Sequence, residues 1–122
     1  NIKQIDEGLD EVFKKIEFLF SNNDAYLNPN YIISNISVET GYRNEIVRDS
    51  IKKNSNMSVP LFINSFRVDH ACKLIEKGYL DNFSMEALAE KSGFKSQENF
   101  NRVFKILKSC TPSDYYKSHN KV

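Results

Sequence analysis

Hydrophobic residues recur through the first twenty positions at steps of three and four, the spacing of one face of an α-helix. This pattern predicts an amphipathic helix that ends in the polar stretch 21–24, with its apolar face packed on a core. The same stripe would also suit the tail of a coiled coil leading from an upstream domain. The residues concerned are Ile2, Ile5, Leu9, Val12, Phe13, Ile16, Leu19 and Phe20.

Start and stop signals divide the rest of the chain into further helices. Asn28 followed by Pro29 predicts a helix start, and Gly41 predicts the end of that helix. The next helix is predicted to begin at position 43 or 44 and to end within 54–56, because asparagine tolerates the left-handed conformation of a helix end.

The second half of the chain shows similar signals, and no alternating strand pattern of useful length occurs. The sequence therefore predicts an all-α fold. The remaining predicted helices are a long one from Val59 to Lys77 that Ser58 caps and Gly78 ends, one from the cap Ser84 up to Gly93, one from the cap Ser96 to about Leu107, and a short one starting at Thr111 and Pro112.

Two segments, 32–52 and 84–105, repeat one arrangement of apolar, small and glycine positions. The offset is 52 before the glycine turn and 53 after it. Ile33, Ile36, Ser37, Gly41 and Tyr42 match Met85, Leu88, Ala89, Gly93 and Phe94, while Val47, Ile51, Lys52 and Ser58 match Phe100, Phe104, Lys105 and Thr111.

The repeated pattern has a physical reason. Ser37 and Ala89 are small, which lets two helix axes approach closely. Gly41 and Gly93 supply the positive φ of a tight turn without steric cost. One copy would suit a plain helical hairpin, but two copies favour a pair of helix-turn-helix units, each of which projects its second helix toward a DNA groove.

Composition and charge refine this picture. The chain has 122 residues and 40% hydrophobic content, enough for one compact domain or two very small ones. Residues 1–27 carry a net charge of −3 and residues 83–122 one of +3, so the C-terminal third is expected to meet a polyanion. No apolar run approaches the ~18 residues of a membrane span, so no membrane contact is expected. Because Asn1 is not a natural start, we expect a piece of a longer cytoplasmic protein, or the cytoplasmic end of a larger one.

Candidate catalytic and metal-binding groups are scarce. Cys72 and Cys110 lie far apart, and His70, two residues from Cys72, points to another side of a helix and has no second ligand pair. No nucleophile–base pair, paired carboxylates or phosphate-cradling glycine loop is visible. We therefore expect no enzyme activity, no metal and no cofactor.

Two stretches resemble the DNA-binding region of the AraC/XylS family of bacterial transcription regulators: FINSFRVDHACKLIEKG (62–78) and SMEALAEKSGFKSQENFNRVFKILKSCTPSDYYK (84–117). The resemblance covers roughly residues 26–118. The positions of the second stretch that carry it are Ala89, Gly93, Phe94, Phe100, Arg102, Phe104, Lys105, Thr111, Pro112 and Tyr115.

The resemblance implies about seven helices forming two homeodomain-like helix-turn-helix units joined by a long linker helix. Together with the periodicity of the first helix, it divides the chain into an N-terminal helix packed on the first unit (1–25), the first unit (26–57), the linker helix (58–78) and the second unit with a short C-terminal helix (79–122). The two recognition helices are expected in successive major grooves of promoter or operator DNA, about 34 Å apart. The family also implies a separate sensing or dimerisation domain and leaves RNA polymerase open as a further partner.

The resemblance also assigns roles on the second recognition helix. Arg102 resembles a reader of guanine and Gln97 of adenine, while Glu98 either accepts from cytosine or only repels phosphate. Phosphate contacts are expected from Lys95, Ser96, Asn101 and Lys105.

The first recognition helix departs from the family pattern. Its expected base contacts are Asn44 and Arg48, and Arg43 and Lys52 are expected on the DNA backbone. It also carries Glu45 and Asp49, the latter aligned with Arg102, and carboxylates repel phosphate. The first unit is therefore expected to bind weakly, to read cytosine-rich sequence, or mainly to position the second unit. A less favoured set of backbone contacts is Lys53, Arg67, Lys73 and Lys77.

Sequence-specific binding of double-stranded DNA is thus the expected function. The alternative, motivated by the acidic first recognition helix, is a helical protein-interaction module of the same fold with weak or lost DNA binding.

Overall fold

The computed structural model describes residues 2–119, which form eight α-helices and one short 3₁₀ helix and contain no strand. The all-α prediction is confirmed, and the four-residue α5 brings the helices to one more than the expected seven. No helix in this range is both long and apolar enough to cross a bilayer. The helices are α1 (Ile2–Asn22), the 3₁₀ helix (Ala25–Leu27), α2 (Ile33–Thr40), α3 (Asn44–Ser55), α4 (Val59–Glu76), α5 (Tyr79–Asn82), α6 (Met85–Lys91), α7 (Gln97–Lys108) and α8 (Pro112–His119).

The described residues divide into two compact units. The first comprises residues 2–25 and 30–63, and the second comprises 26–29 and 64–119. The long helix α4 therefore contributes its first turns to one unit and the remainder to the other. Each unit contains one helix–turn–helix pair, α2–α3 in the first and α6–α7 in the second.

In the first unit, α1 packs along α2 and α3. Val12, Ile16 and Phe20, spaced four apart on α1, are buried. The Phe20 ring meets the rings of Tyr31 and Phe62 edge-on, at centroid distances of 5.8 and 5.3 Å. Each fully buried apolar side chain of this kind contributes about 1.5–3 kcal/mol.

Polar contacts also join α1 to α3. The Ser50 hydroxyl is buried and donates to the backbone oxygen of Leu9 at 2.6 Å. The Lys53 ammonium pairs with the Asp10 carboxylate at 2.6 Å. This pairing lowers the pKa of Asp10. The Lys53 side chain is therefore already paired with a residue of α1.

The core of the second unit combines a row of aromatic rings, centred on α7, with aliphatic side chains. Phe94 lies 5.2 Å from Phe100, which lies 5.7 Å from Phe104, which in turn lies 5.7 Å from Tyr115 (centroid distances). The buried members of this core are Val68, Ala71, Cys72, Ile75, Leu88, Ala89, Phe94, Phe100, Val103 and Phe104.

Four predicted N-terminal caps are confirmed. In each, a hydroxyl oxygen accepts from the backbone N–H three residues on, which satisfies an otherwise unpaired donor at the helix start. The pairs are Ser58 with Leu61 (3.3 Å), Ser84 with Ala87 (3.0 Å), Ser96 with Asn99 (3.1 Å) and Thr111 with Asp114 (3.1 Å).

The predicted helix start at Asn28 and Pro29 is wrong. These residues lie in a turn, and α2 begins only at Ile33, after Ile32, whose N–H donates to the Asn35 side chain at 2.8 Å. The competing interaction is long-range. The Arg67 guanidinium donates to the backbone oxygens of Tyr26 and Asn28, at 2.6 and 2.9 Å, and so holds residues 26–29 within the second unit.

Candidate nucleic-acid interface

The second unit forms its helix-turn-helix from α6, a turn and α7. Gly93 has φ +90° in that turn, as predicted. A Cβ on Gly93 would lie 2.9 Å from the Leu27 backbone oxygen and 3.0 Å from its Cα. Ala89 is buried, and so is Phe94, which packs on Phe100. The turn is therefore closed on its inner side by apolar packing and leaves no room for a side chain at 93.

The first unit forms the equivalent pair from α2 and α3, with a looser turn. Gly41 has φ +81° and donates its N–H to the backbone oxygen of Ser37 at 2.8 Å, but a Cβ at 41 would meet nothing within 4 Å. Ser37 is half-buried, and its hydroxyl donates to the side-chain oxygen of Asn44. A polar contact thus stands where the second unit has the apolar side chain of Ala89. Tyr42 is half-buried beneath the Lys15 ammonium, 5.3 Å from the ring centroid.

The repeat extends to the far ends of both second helices. α3 and α7 are each 12 residues long. The residues that follow them, Asn56 and Ser109, are C-caps in left-handed conformations, with φ 58° and 62°. The N–H groups of these residues donate to the backbone oxygens of Lys52 and Lys105, both at 2.9 Å. The offset of 53 read from the sequence therefore holds over the whole of the second helix.

One face of α7 is polar and exposed, opposite the buried Phe100, Val103 and Phe104. Because residues four apart lie on the same side of a helix, positions 97, 98, 101, 102 and 105 form one stripe. All are exposed except Asn101, which is half-buried, and Lys95 and Ser96 precede them on the same exposed end. The structure thus brings all seven predicted residues of the second unit onto α7 or the turn before it.

Two side chains of α7 already have partners. Arg102 donates from Nη2 to the Asn99 side-chain oxygen at 2.7 Å. Lys108 pairs with Asp69 at 2.9 Å, and this contact raises the pKa of the Lys108 ammonium. Lys108 is therefore already paired within the second unit. No role was predicted for Asn99, although a residue three positions before Arg102 lies next to it on a helix surface.

The exposed face of α3 mixes both charge signs. Arg43, Arg48 and Lys52 are exposed, and Glu45 and Asp49 lie among them. Asn44 is half-buried, and its side-chain oxygen accepts from Ser37. A bidentate adenine contact requires that oxygen as well as the amide N–H donors. Asn44 therefore keeps one lone pair of that oxygen and its N–H donors for DNA.

One of the less favoured backbone contacts, Arg67, is wrongly predicted. Arg67 is 8% exposed, and its guanidinium is used by Tyr26, Asn28 and Asn64. Burial lowers the pKa of that guanidinium from its ordinary value. Arg67 is a structural residue and cannot contact a DNA backbone.

Between residues 2 and 119 no three His, Cys, Asp or Glu side chains come together in a way that could hold a metal ion. Cys72 is a buried free thiol whose pKa is raised by burial, and Cys110 is a half-buried free thiol. A raised thiol pKa disfavours the nucleophilic thiolate form.

Comparison with known proteins places this geometry in a family. A family model described as "Helix-turn-helix domain" matches residues 36–118, which include the whole second helix pair and the first pair from Ile36 onward. The chain therefore belongs to the AraC/XylS-type helix-turn-helix family, as the sequence resemblance predicted. It is a DNA-binding domain of the transcription-regulator type, not an enzyme. No curated protein matches the chain.

Several solved structures share its fold at low sequence identity. A DNA-binding transcriptional dual regulator from Escherichia coli K-12 matches with a TM-score of 0.70 and 19% identity, over 88% of this chain and 90% of that one. The C-terminal domain of AraT, a response regulator from Geobacillus stearothermophilus, matches with a TM-score of 0.69 and 15% identity (88% and 84% covered). The C-terminal domain of the two-component response regulator yesN from Fusobacterium nucleatum has a TM-score of 0.66 and 19% identity (90% and 98% covered).

Proposed function

We propose that this domain recognises a specific double-stranded DNA sequence by placing α3 and α7 in successive major grooves. The main observation in favour of this proposal is the exposed polar stripe of α7. The stripe lies on the second helix of a tightly closed helix-turn-helix, in a chain of this family. We place the domain in the cytoplasm, as the DNA-binding part of a larger regulator with a sensing or dimerisation domain and with RNA polymerase as a further partner.

In this proposal α7 carries most of the sequence discrimination. Arg102 donates to a guanine edge, Gln97 pairs with adenine, and Glu98 accepts from cytosine. Contacts to phosphate come from the flanks of the helix and fix its register without reading sequence. The residues that make them are Lys95, Ser96, Asn101 and Lys105.

The role of α3 is weaker and more positional. Arg48 reads a base, Asn44 contributes its amide hydrogens, and Arg43 and Lys52 hold phosphates. Glu45 and Asp49 repel phosphate unless each faces a cytosine amino group, so α3 favours cytosine-rich half-sites. The same carboxylates support the second candidate function, a protein-interaction module of this fold.

A salt titration separates the two candidates. Preferred duplexes are first selected from a random pool, and their affinities are then measured at 50 and 200 mM salt. Four neutralising contacts, from Arg43, Lys52, Lys95 and Lys105, predict a log–log slope of about −3.6 and therefore a loss of about 150-fold over that range. A protein-interaction module would show no salt-dependent binding to any duplex of the pool.

Arg102→Ala is expected to weaken binding to the preferred duplex by about 1–3 kcal/mol, because it removes a base contact. Affinity is measured by fluorescence anisotropy, and circular dichroism should show unchanged helix content. Lys14→Ala is the matched control, since it removes one exposed positive charge from α1 and should leave affinity unchanged. Equal affinity of the Arg102 variant and the unaltered protein would refute the base contact.

A further inference from the structure

The guanidinium of Arg102 is already held within its own helix. Nη2 donates to the side-chain oxygen of Asn99, one turn closer to the start of α7, at 2.7 Å. Arg102 is exposed, whereas Asn99 is half-buried. We propose that Asn99 is a positioning residue, which holds Arg102 in the orientation that reads its base and so sets the specificity of α7. This inference rests on the proposed function.

Asn99 is itself well anchored. It lies in the first turn of α7, and its backbone N–H donates to the hydroxyl of the capping residue Ser96 at 3.1 Å. A capped first turn is ordered, and asparagine has a short side chain with few rotamers to lose. Asn99 therefore presents a nearly fixed acceptor at the end of α7 that is aimed at DNA in the proposed binding mode.

The hydrogen bond to Asn99 is compatible with base reading. A guanidinium has five N–H donors in a planar fork, and a bidentate guanine contact uses two of them. The bond to Asn99 uses one, so enough donors remain. It also draws the guanidinium toward the helix start, where recognition helices contact base edges. A long side chain that is ordered before binding loses less conformational freedom when the complex forms.

The first unit has no such pair. At the offset of 53, Asn99 corresponds to Ile46 and Arg102 to Asp49. The two recognition helices are therefore unequal in a way that the repeat alone conceals. The loss of the pair from the first unit agrees with discrimination concentrated on α7.

The test compares base preference with overall affinity. The base pair that Arg102 reads is first located: it is the position of the duplex at which the Arg102→Ala variant no longer prefers one base pair over the others. Four duplexes, each with a different base pair at that position, are then titrated with each variant. In Asn99→Ala, the affinity ratio between the preferred pair and the next best should fall about 2- to 12-fold, the value of one ordinary hydrogen bond, because exposure to water weakens the charged contact. Asn101→Ala, which removes a proposed phosphate contact from the same helix, should lower all four affinities by a similar factor.

A double-mutant cycle completes the test. In an Arg102→Ala background, adding Asn99→Ala should change the ratio no further, because the group that Asn99 positions is gone. The inference is overturned if Asn99→Ala keeps the full ratio, or weakens all four duplexes equally, while its thermal melt matches that of the parent. If the unaltered protein prefers no duplex at all, the proposed function itself fails, and the Asn99 role fails with it.

Discussion

Gly93→Ala is expected to destabilise the second unit by about 2–5 kcal/mol. The residue has φ +90°, and an L side chain there carries a backbone strain of about 1–2 kcal/mol. The new Cβ would also lie 2.9 Å from the Leu27 backbone oxygen and 3.1 Å from Nε of Arg67, where nothing can move cheaply. Crowding of a packed site adds about 1–3 kcal/mol.

Two other glycines provide matched controls. Gly41→Ala meets the same kind of backbone strain, at φ +81°, but no atom within 4 Å, so it should cost only about 1–2 kcal/mol. Gly8→Ala lies inside α1 with open space and ordinary helical geometry, so it should stabilise by about 0.5–1 kcal/mol. Comparing the unfolding free energies of the three variants therefore separates the cost of crowding from the cost of backbone strain.

Because the chain has two units, one unfolding midpoint is an insufficient measurement. Hydrogen exchange followed by mass spectrometry reports each helix separately. Gly93→Ala should accelerate exchange in α6 and α7, and Gly41→Ala in α2 and α3. If Gly93→Ala and Gly41→Ala cost the same, the close approach of Leu27 to the turn is not rigid.

Local signals were enough to predict most of the fold. Ser84, Ser96 and Thr111 act on donors three residues away, so their short sequence context already contains the interaction. The positive φ of Gly41 and Gly93 was predictable because the repeat aligns these two positions and each lies in a tight turn. The polar face of α7 followed from the spacing of its buried residues.

Side-chain pairing and long-range contacts were not predictable in the same way. Pro29 follows Asn28 as at a helix start, yet Arg67, 39 residues after Asn28, determines the conformation there. Residue type and position suggest a base contact for Asn44, but its hydrogen bond with the Ser37 hydroxyl could not be read from the sequence. Such contacts depend on which helices and turns lie next to each other in the folded chain. The hydrophobic periodicity of a single helix does not predict this.

Arg67→Met is the second large effect, and we expect it to cost the second unit about 3–5 kcal/mol. Methionine fills similar space but removes the donors for the Tyr26 and Asn28 backbone oxygens, at 2.6 and 2.9 Å. A hydrogen bond from a charged group is worth about 1.5–3 kcal/mol, so the loss of these two accounts for the expected cost. Arg67→Lys should recover only part of this loss, since one ammonium cannot reproduce the planar fork.

Lys73→Met is the control for Arg67→Met, because it also replaces a cation on α4 but at an exposed position, where a change within about 0.5 kcal/mol is expected. Hydrogen exchange of residues 26–29 gives the local measurement. The same segment contacts both Arg67 and the site of a Cβ at Gly93. Once Arg67→Met has loosened that segment, adding Gly93→Ala should therefore cost less than it does alone. Strict additivity of the two changes would mean that residues 26–29 do not support the turn of the second helix-turn-helix.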